Sequence, residues 1–185
     1  MIPEGPSKHE IECTYAIAWA PAGAQIGLDI GCGAHKVADW LIGVDHHSGE
    51  WTDALGGDHL SRPDILADAR ELPYATESID FIASRHLLEH FADPMTVLVG
   101  WRRVLRVGGR MAIVVPDWRH TFSCKQPDQQ GEPEAHKYDY TLPILCGVLL
   151  SLPGTELIDA RIVCARFSVG AVVEKIREEN RIDIS

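Results

Sequence analysis

Positive charge is scarce in this chain: 17 Lys and Arg stand against 27 Asp and Glu, a formal net charge of −10 over 185 residues. A nucleic-acid backbone as main partner calls for the opposite excess, because phosphates are held by Lys and Arg. The same shortage argues against a basic helix lying on a membrane surface. No apolar run approaches membrane-spanning length, so no membrane association is expected. MIPEGPSKHEIE, at the N-terminus, lacks the basic head and apolar core of a secretory signal. The five cysteines, at positions 13, 32, 124, 146 and 164, are odd in number and never spaced C-x-x-C. That pattern argues against a disulfide framework or a zinc site and for free thiols in a reducing, cytoplasmic compartment. Repeats and low-complexity tracts are absent, and the length predicts one domain over residues 1–185.

What the chain does have is a series of short apolar runs. IGLDIG (26–31), LIGVD (41–45), DILAD (64–68), IDFIAS (79–84) and RMAIVVP (110–116) are each stopped by a glycine, an acid, a polar residue or a proline. Runs that are apolar throughout, rather than alternating, predict a parallel sheet covered on both faces. A helix is predicted between the fourth and fifth runs, with Asp93 as cap, Pro94 in the first turn and Gly108-Gly109 beyond its end. Its stripe of Val97, Leu98, Trp101, Val104 and Leu105 reads as core packing. TLPILCGVLLSL (141–152) predicts another helix, and ELIDARIV (156–163) and FSVGAVVEK (167–175) a closing strand pair. The order is that of an α/β doubly wound fold. Residues 117–139 are polar, rich in Pro and Gln and too long for a connector, which predicts a lid.

GLDIGCGAHKVADWLIGVD (27–45) carries a glycine loop between two of these runs. It is incomplete as a dinucleotide fingerprint, because Lys36 stands where G-x-G-x-x-G needs its third glycine. Three acids arrive at the ends of successive runs: Asp29 near the end of the first, Asp45 ending the second and Asp68 ending the third. In an open parallel sheet ligands sit beyond the carboxyl ends of the strands. There an acid after the second strand can accept from both hydroxyls of a ribose. One after the third can accept from an exocyclic amine such as that of adenine.

LDIGCG (28–33), GVD (43–45), ADARELP (67–73), SIDFIASRHLLEH (78–90) and WRRVLRVGGRMAIVVPD (101–117), in this order, resemble the class I S-adenosylmethionine-dependent methyltransferases, in particular their small, single-domain branch that acts on metabolites. The likeness covers roughly residues 26–118. It implies a doubly wound, mostly parallel seven-stranded sheet of Rossmann-like type with an antiparallel last strand, and S-adenosylmethionine as cofactor. By the same resemblance Asp29, Gly31, Cys32 and Gly33 fall on the first motif, beside the methionine part of the cofactor. Asp45 falls on the ribose-binding acid and His46 on the position beside adenine. Asp68 and Ala69 fall on the adenine-edge motif, and Ser84, Arg85 and His86 on the segment after the fourth strand. The family often has a third glycine at the place of His35 and usually a longer first helix. Residues 34–40 are therefore expected to form a reduced helix or irregular turn, with Lys36 as a nearby cation.

A small-molecule methyl acceptor is the expected partner, and a homodimer the expected assembly if the chain self-associates. If the acceptor carries a proton that must leave, His86 is the first candidate base and His120 the second. His86 and His90 stand one helical turn apart, a spacing that can bind metal. The residues between them match a largely structural family segment, however, and no metal is expected there. The same holds for Asp45-His46-His47 with His59, which have no fixed ligand spacing. His136, at the far end of the long polar segment, is a further candidate base, though a loop histidine more often is simply solvated. Two other functions are compatible with the chain: a non-catalytic S-adenosylmethionine-binding protein of the same fold and, against the missing glycine, a nucleotide-dependent oxidoreductase.

Overall fold

The computed structural model describes residues 5–52, 58–121 and 135–177. A capping box opens the first helix, α1 (Lys8–Ala18): the Glu10 backbone N–H donates to Ser7 Oγ at 3.3 Å, and the Ser7 N–H to Glu10 Oε2 at 2.7 Å. The parallel strands are β1 (Gly27–Ile30), β2 (Ile42–Asp45), β5 (Ile65–Leu66), β6 (Ile79–Arg85) and β7 (Leu105–Pro116). Between β2 and β5 lies a separate antiparallel hairpin, β3 (Gly49–Thr52) with β4 (Asp58–Ser61). After β6 come a 3₁₀ turn (Leu88–His90) and α2 (Pro94–Val104); after β7 come α3 (Leu142–Leu150), β8 (Thr155–Cys164) and β9 (Ser168–Lys175).

The main sheet has seven strands in the order β5-β2-β1-β6-β7-β9-β8, parallel up to β7, with β9 antiparallel to both β7 and β8. It is the doubly wound α/β sheet that the order of runs predicts. β1 lies third in the sheet, with β2 on one side and β6 on the other, so the chain winds outward in both directions from it. This is the switch point at which such sheets open a crevice.

Side chains of β6 divide between two cores, with a register irregularity between Ile79 and Phe81. Ile79 and Ile82 point to a cluster with Leu98, Trp101, Met111 and Leu145, covered by α2 and α3. Phe81 and Ala83 point to a second cluster with Ala16, Trp19, Val37 and Val114, covered by α1 and the turn after β1. Both faces are dry, which is why the central strands read as unbroken apolar runs.

The predicted α2 stripe is buried at all five positions, but the helix ends at Val104 and Leu105 opens β7. Residues 34–40 are turns and bends with no helix, as expected. Two elements were not predicted: α1, and the hairpin of β3 and β4. The third strand is shorter than its run, so Asp68 lies beyond its end. Of the expected lid, residues 122–134 lie outside the described residues. Its flanks are anchored, Asp117 N–H to Phe167 O at 2.8 Å and Trp118 N–H to Tyr140 O at 3.1 Å. No helix among the described residues is long and apolar enough to cross a membrane.

Candidate functional site

Strand registers bring the predicted site residues to one edge. Ile30 pairs with Val44 and Ser84, and Ser84 with Ile113, so Gly31, Asp45 and Arg85 follow at one level at the carboxyl ends of β1, β2 and β6. Gly31 and Gly33 hold φ of +75° and +56°, the left-handed region in which a side chain is strained. A Cβ on Gly31 would meet Leu87 at 2.9 Å, whereas one on Gly33 would meet open space. The loop therefore presents bare backbone at Gly33.

Asp45 ties this loop down. Its Oδ2 accepts from the Gly33 N–H at 3.0 Å, and its Oδ1 from the His47 N–H at 3.1 Å. Oδ2 keeps a lone pair for a hydroxyl, Oδ1 also has His46 Nδ1 at 3.4 Å, and the side chain is 12% exposed. On the other side, the Gly33 carbonyl accepts from the Arg62 N–H at 2.9 Å, just after β4. The unpredicted hairpin thus sits against the glycine loop, next to the turn that replaces a first helix.

Other predicted residues have partners within the protein. Asp29 is 2% exposed, and its Oδ2 accepts from the Val37 N–H at 2.6 Å, pinning the irregular turn from beneath. Burial pushes its pKa up to about 6 against that hydrogen bond and the nearby Arg85 and Lys36 charges. Cys32 is also a core residue, its thiol pushed up to about 12 by burial and the neighbouring carboxylates. Lys36 is not a cation free for a ligand: its Nζ pairs with Asp64 at 2.8 Å. Asp68 is half-exposed and paired with Arg70 at 2.5 Å, which holds its carboxyl below the usual range. The Ala69 carbonyl accepts from Trp101 Nε1 at 2.8 Å, and His46 is exposed with its ring against His47.

At the tip of β6 buried polar atoms collect. Ser84 Oγ and Arg85 Nε are both buried without a hydrogen-bond partner among the described residues. His86 adopts φ +52°, an uncommon conformation for a non-glycine residue and one found at functional sites. Its Nε2 lies 3.0 Å from Glu12 Oε1, and Arg85 reaches the other oxygen of Glu12 at 3.5 Å. Burial lowers the His86 pKa, but Glu12 and Glu89 more than reverse this, and the net shift is upward. Glu12 is shifted the other way: burial raises it, and the His86 contact, with Ser168 and Arg85 beside it, outweighs that. Sequence reasoning missed Glu12. The signal for its helix was legible in Ser7-x-x-Glu10, but nothing local tied it to His86. His120, the second candidate base, is exposed on the turn after Asp117, whose carbonyl accepts its N–H at 2.9 Å. A cleft of about 490 Å³ between the start of α2 and α3, lined by Asp93, Met95, Tyr138 and Val148 among others, shares none of the glycine-loop residues.

Residues 28–113, from the middle of β1 to the middle of β7, match the family model of the methyltransferase domain. That stretch, a little under half of the chain, is similar to the methyltransferase domain. A protein of 37.1 kDa in transposon TN4556 of Streptomyces fradiae is 35% identical over 117 residues, 56% of this chain and 33% of that protein. Methyltransferase GfsG of Streptomyces halstedii is 34% identical over 105 residues, 46% of this chain and 36% of that one. The chain thus spans about a third of the length of these curated relatives. The solved 1,6-didemethyltoxoflavin-N1-methyltransferase of Burkholderia thailandensis, with 1,6-didemethyltoxoflavin and S-adenosylhomocysteine bound, superposes with a TM-score of 0.64. It is 16% identical and is matched over 91% of this chain and 79% of its own, a likeness of fold. Within the matched stretch lie the glycine loop, Asp45, Asp68 and the β6 tip; Glu12 lies outside it.

Proposed function

We propose that this protein binds S-adenosylmethionine at the carboxyl edge of β1, β2 and β6 and transfers its methyl group to a small or medium-sized metabolite. The observation that carries the reading is the Gly33–Asp45 pair: bare backbone in left-handed conformation, locked to a carboxylate with acceptor capacity left at the end of the second strand. The cofactor supplies a methyl group on a sulfonium sulfur, which is already a good leaving group. Gly31 and Gly33 give close backbone approach, Asp45 accepts from the ribose hydroxyls, and Asp68 can reach an adenine amine by releasing Arg70. Buried Ser84 Oγ and Arg85 Nε supply polar atoms at the tip of β6 beside them. The protein's own task is alignment and exclusion of water. For an acceptor that must lose a proton, His86 is the base. Glu12 holds Nε2–H, the arrangement that orients a histidine in a triad, and leaves Nδ1 as the basic nitrogen.

A non-catalytic cofactor-binding role has one observation in its favour, the absence of any helix over 34–40. The same absence removes the helix N-terminus on which a dinucleotide pyrophosphate would rest. Calorimetry with S-adenosylmethionine and with NAD tests the site. Binding of the first and not the second is expected, and the reverse refutes the reading. Single-turnover formation of S-adenosylhomocysteine with a panel of hydroxyl and amine metabolites then separates enzyme from binding protein.

A further inference from the structure

On the far side of His86 from Glu12 lies a second cluster, built from two parts of the chain that the sequence keeps far apart. Glu89 and His90 belong to the 3₁₀ turn after β6, and His136 to the irregular stretch before α3. One ligand atom from each lies within 4.8 Å of the other two. Backbone hydrogen bonds fix this meeting: the Glu89 carbonyl accepts from the Lys137 N–H at 2.7 Å and the Tyr138 N–H at 3.0 Å. The imidazoles of His90 and His136 stand edge to face with centroids 5.2 Å apart.

Glu89 is the telling residue. It is 1% exposed, and neither carboxylate oxygen has a hydrogen-bond partner among the described residues. His86 Nδ1 at 3.7 Å and His90 Nε2 at 3.8 Å lie near its Oε1 but beyond hydrogen-bond reach. His90 Nδ1 is buried without a partner as well. A dry carboxylate and a dry imidazole nitrogen left unsatisfied side by side are costly unless something with positive charge and open valences completes them.

We propose that Glu89, His90 and His136 bind a divalent first-row metal ion of zinc's class, beside His86 at the tip of β6. Two imidazoles and one carboxylate are a donor set suited to such an ion, and three protein ligands leave a position open. Tetrahedral bonds of roughly 2.0–2.1 Å put donor atoms about 3.3 Å apart. A set already within 4.8 Å closes by rotation of side chains alone, with the backbone held by Lys137 and Tyr138. The consequence for chemistry rests on the methyl-transfer reading: an acceptor oxygen in the open position would be acidified by the ion, a second route to deprotonation next to His86.

The site is tested without cofactor or acceptor. Chelator-treated full-length protein is titrated with Co²⁺, read by visible d–d absorption, and with Zn²⁺, read by calorimetry. One ion per chain is expected, with affinity falling at least about tenfold in Glu89→Gln, His90→Ala and His136→Ala. A His46→Ala/His47→Ala variant should bind unchanged. If Glu89→Gln loses its cooperative melt, His136→Ala decides alone, because it is only half-buried and leaves the Glu89 carboxylate in place. Absence of Zn²⁺ binding at tens of micromolar, or binding that survives His136→Ala, overturns the proposal and leaves Glu89 a carboxylate balanced by imidazolium. Failure here does not touch the cofactor site, since S-adenosylmethionine binding is read separately.

Discussion

Asp45, the proposed acceptor for the ribose hydroxyls, also fixes the geometry of the glycine loop. Asp45→Ala removes a carboxylate that accepts from the Gly33 and His47 N–H groups. It should weaken S-adenosylmethionine binding by about 1.5–3 kcal/mol, the worth of hydrogen bonds to a charged group. Asp45→Asn keeps one accepting oxygen and should lose less. Affinity equal to wild type by calorimetry in both variants would remove the ribose assignment. Asp29 makes the opposite kind of statement. Its folded-state pKa is raised, so between the unfolded value near 3.8 and about 6 the unfolded chain has given up a proton that the folded chain keeps. Stability on this account rises as pH falls through that window and is lowest above it. Asn at 29 can still accept from the Val37 N–H without a buried charge. Asp29→Asn should therefore gain as much as about 3 kcal/mol at pH 7.5 and nothing at pH 3.5. Urea melts at the two pH values check this; a variant destabilised at both would show that the ionised carboxylate has a use in the fold.

At the scale of elements, α1 is more than a cover for the sheet. It brings Glu12 to His86 across the second core, while Trp19 Nε1 anchors its far end to Asp159 of β8 at 2.9 Å. The pair contributes stability only while both partners are charged: above the depressed pKa of Glu12 and below the raised pKa of His86. Glu12→Gln should lower the His86 pKa, seen by NMR titration of its ring, and move the alkaline rise of methyl transfer to a hydroxyl acceptor toward lower pH. An unmoved titration would mean that Glu89, not Glu12, sets the state of His86. None of this pairing was legible in the sequence, since the two residues are joined only by the packing of α1 on β6 and β7. The strands were legible, because burial on both faces writes itself as continuous Val, Ile and Leu. The hairpin of β3 and β4 was not: GEWT and DHLS carry no alternation that marks a strand. Asp29, Asp45 and Asp68 read alike as acids at strand ends; what separates them is a backbone N–H, a glycine loop and an arginine, partners that folding alone brings in.

Over the whole molecule, order should grade across the sheet. β6, β7 and β9 are buried over most of their length and flanked by strands on both sides. β5 has two exposed residues at one edge, and the hairpin of β3 and β4 stands apart from the main sheet. Hydrogen exchange should find amides of Ile82, Ala83, Ile113 and Val172 opening only with global unfolding, and those of Glu50 and Leu60 opening locally. Cofactor should slow the second group, because the Arg62 N–H just beyond β4 is bonded to the loop that would hold it. Uniform protection in the free protein would contradict such a gradient.

The reach of α1 also bears on modularity. A chimera that transplants residues 28–113 into another scaffold would carry both glycines, Asp45 and the whole of α2, and by inheritance of motifs it would look complete. It would arrive with His86 orphaned from Glu12, with β7 cut inside its length and with no β9 to pair against it. Recombination of such chains is therefore constrained by residues that no motif marks, and their viable breakpoints lie before Ser7 and after β9.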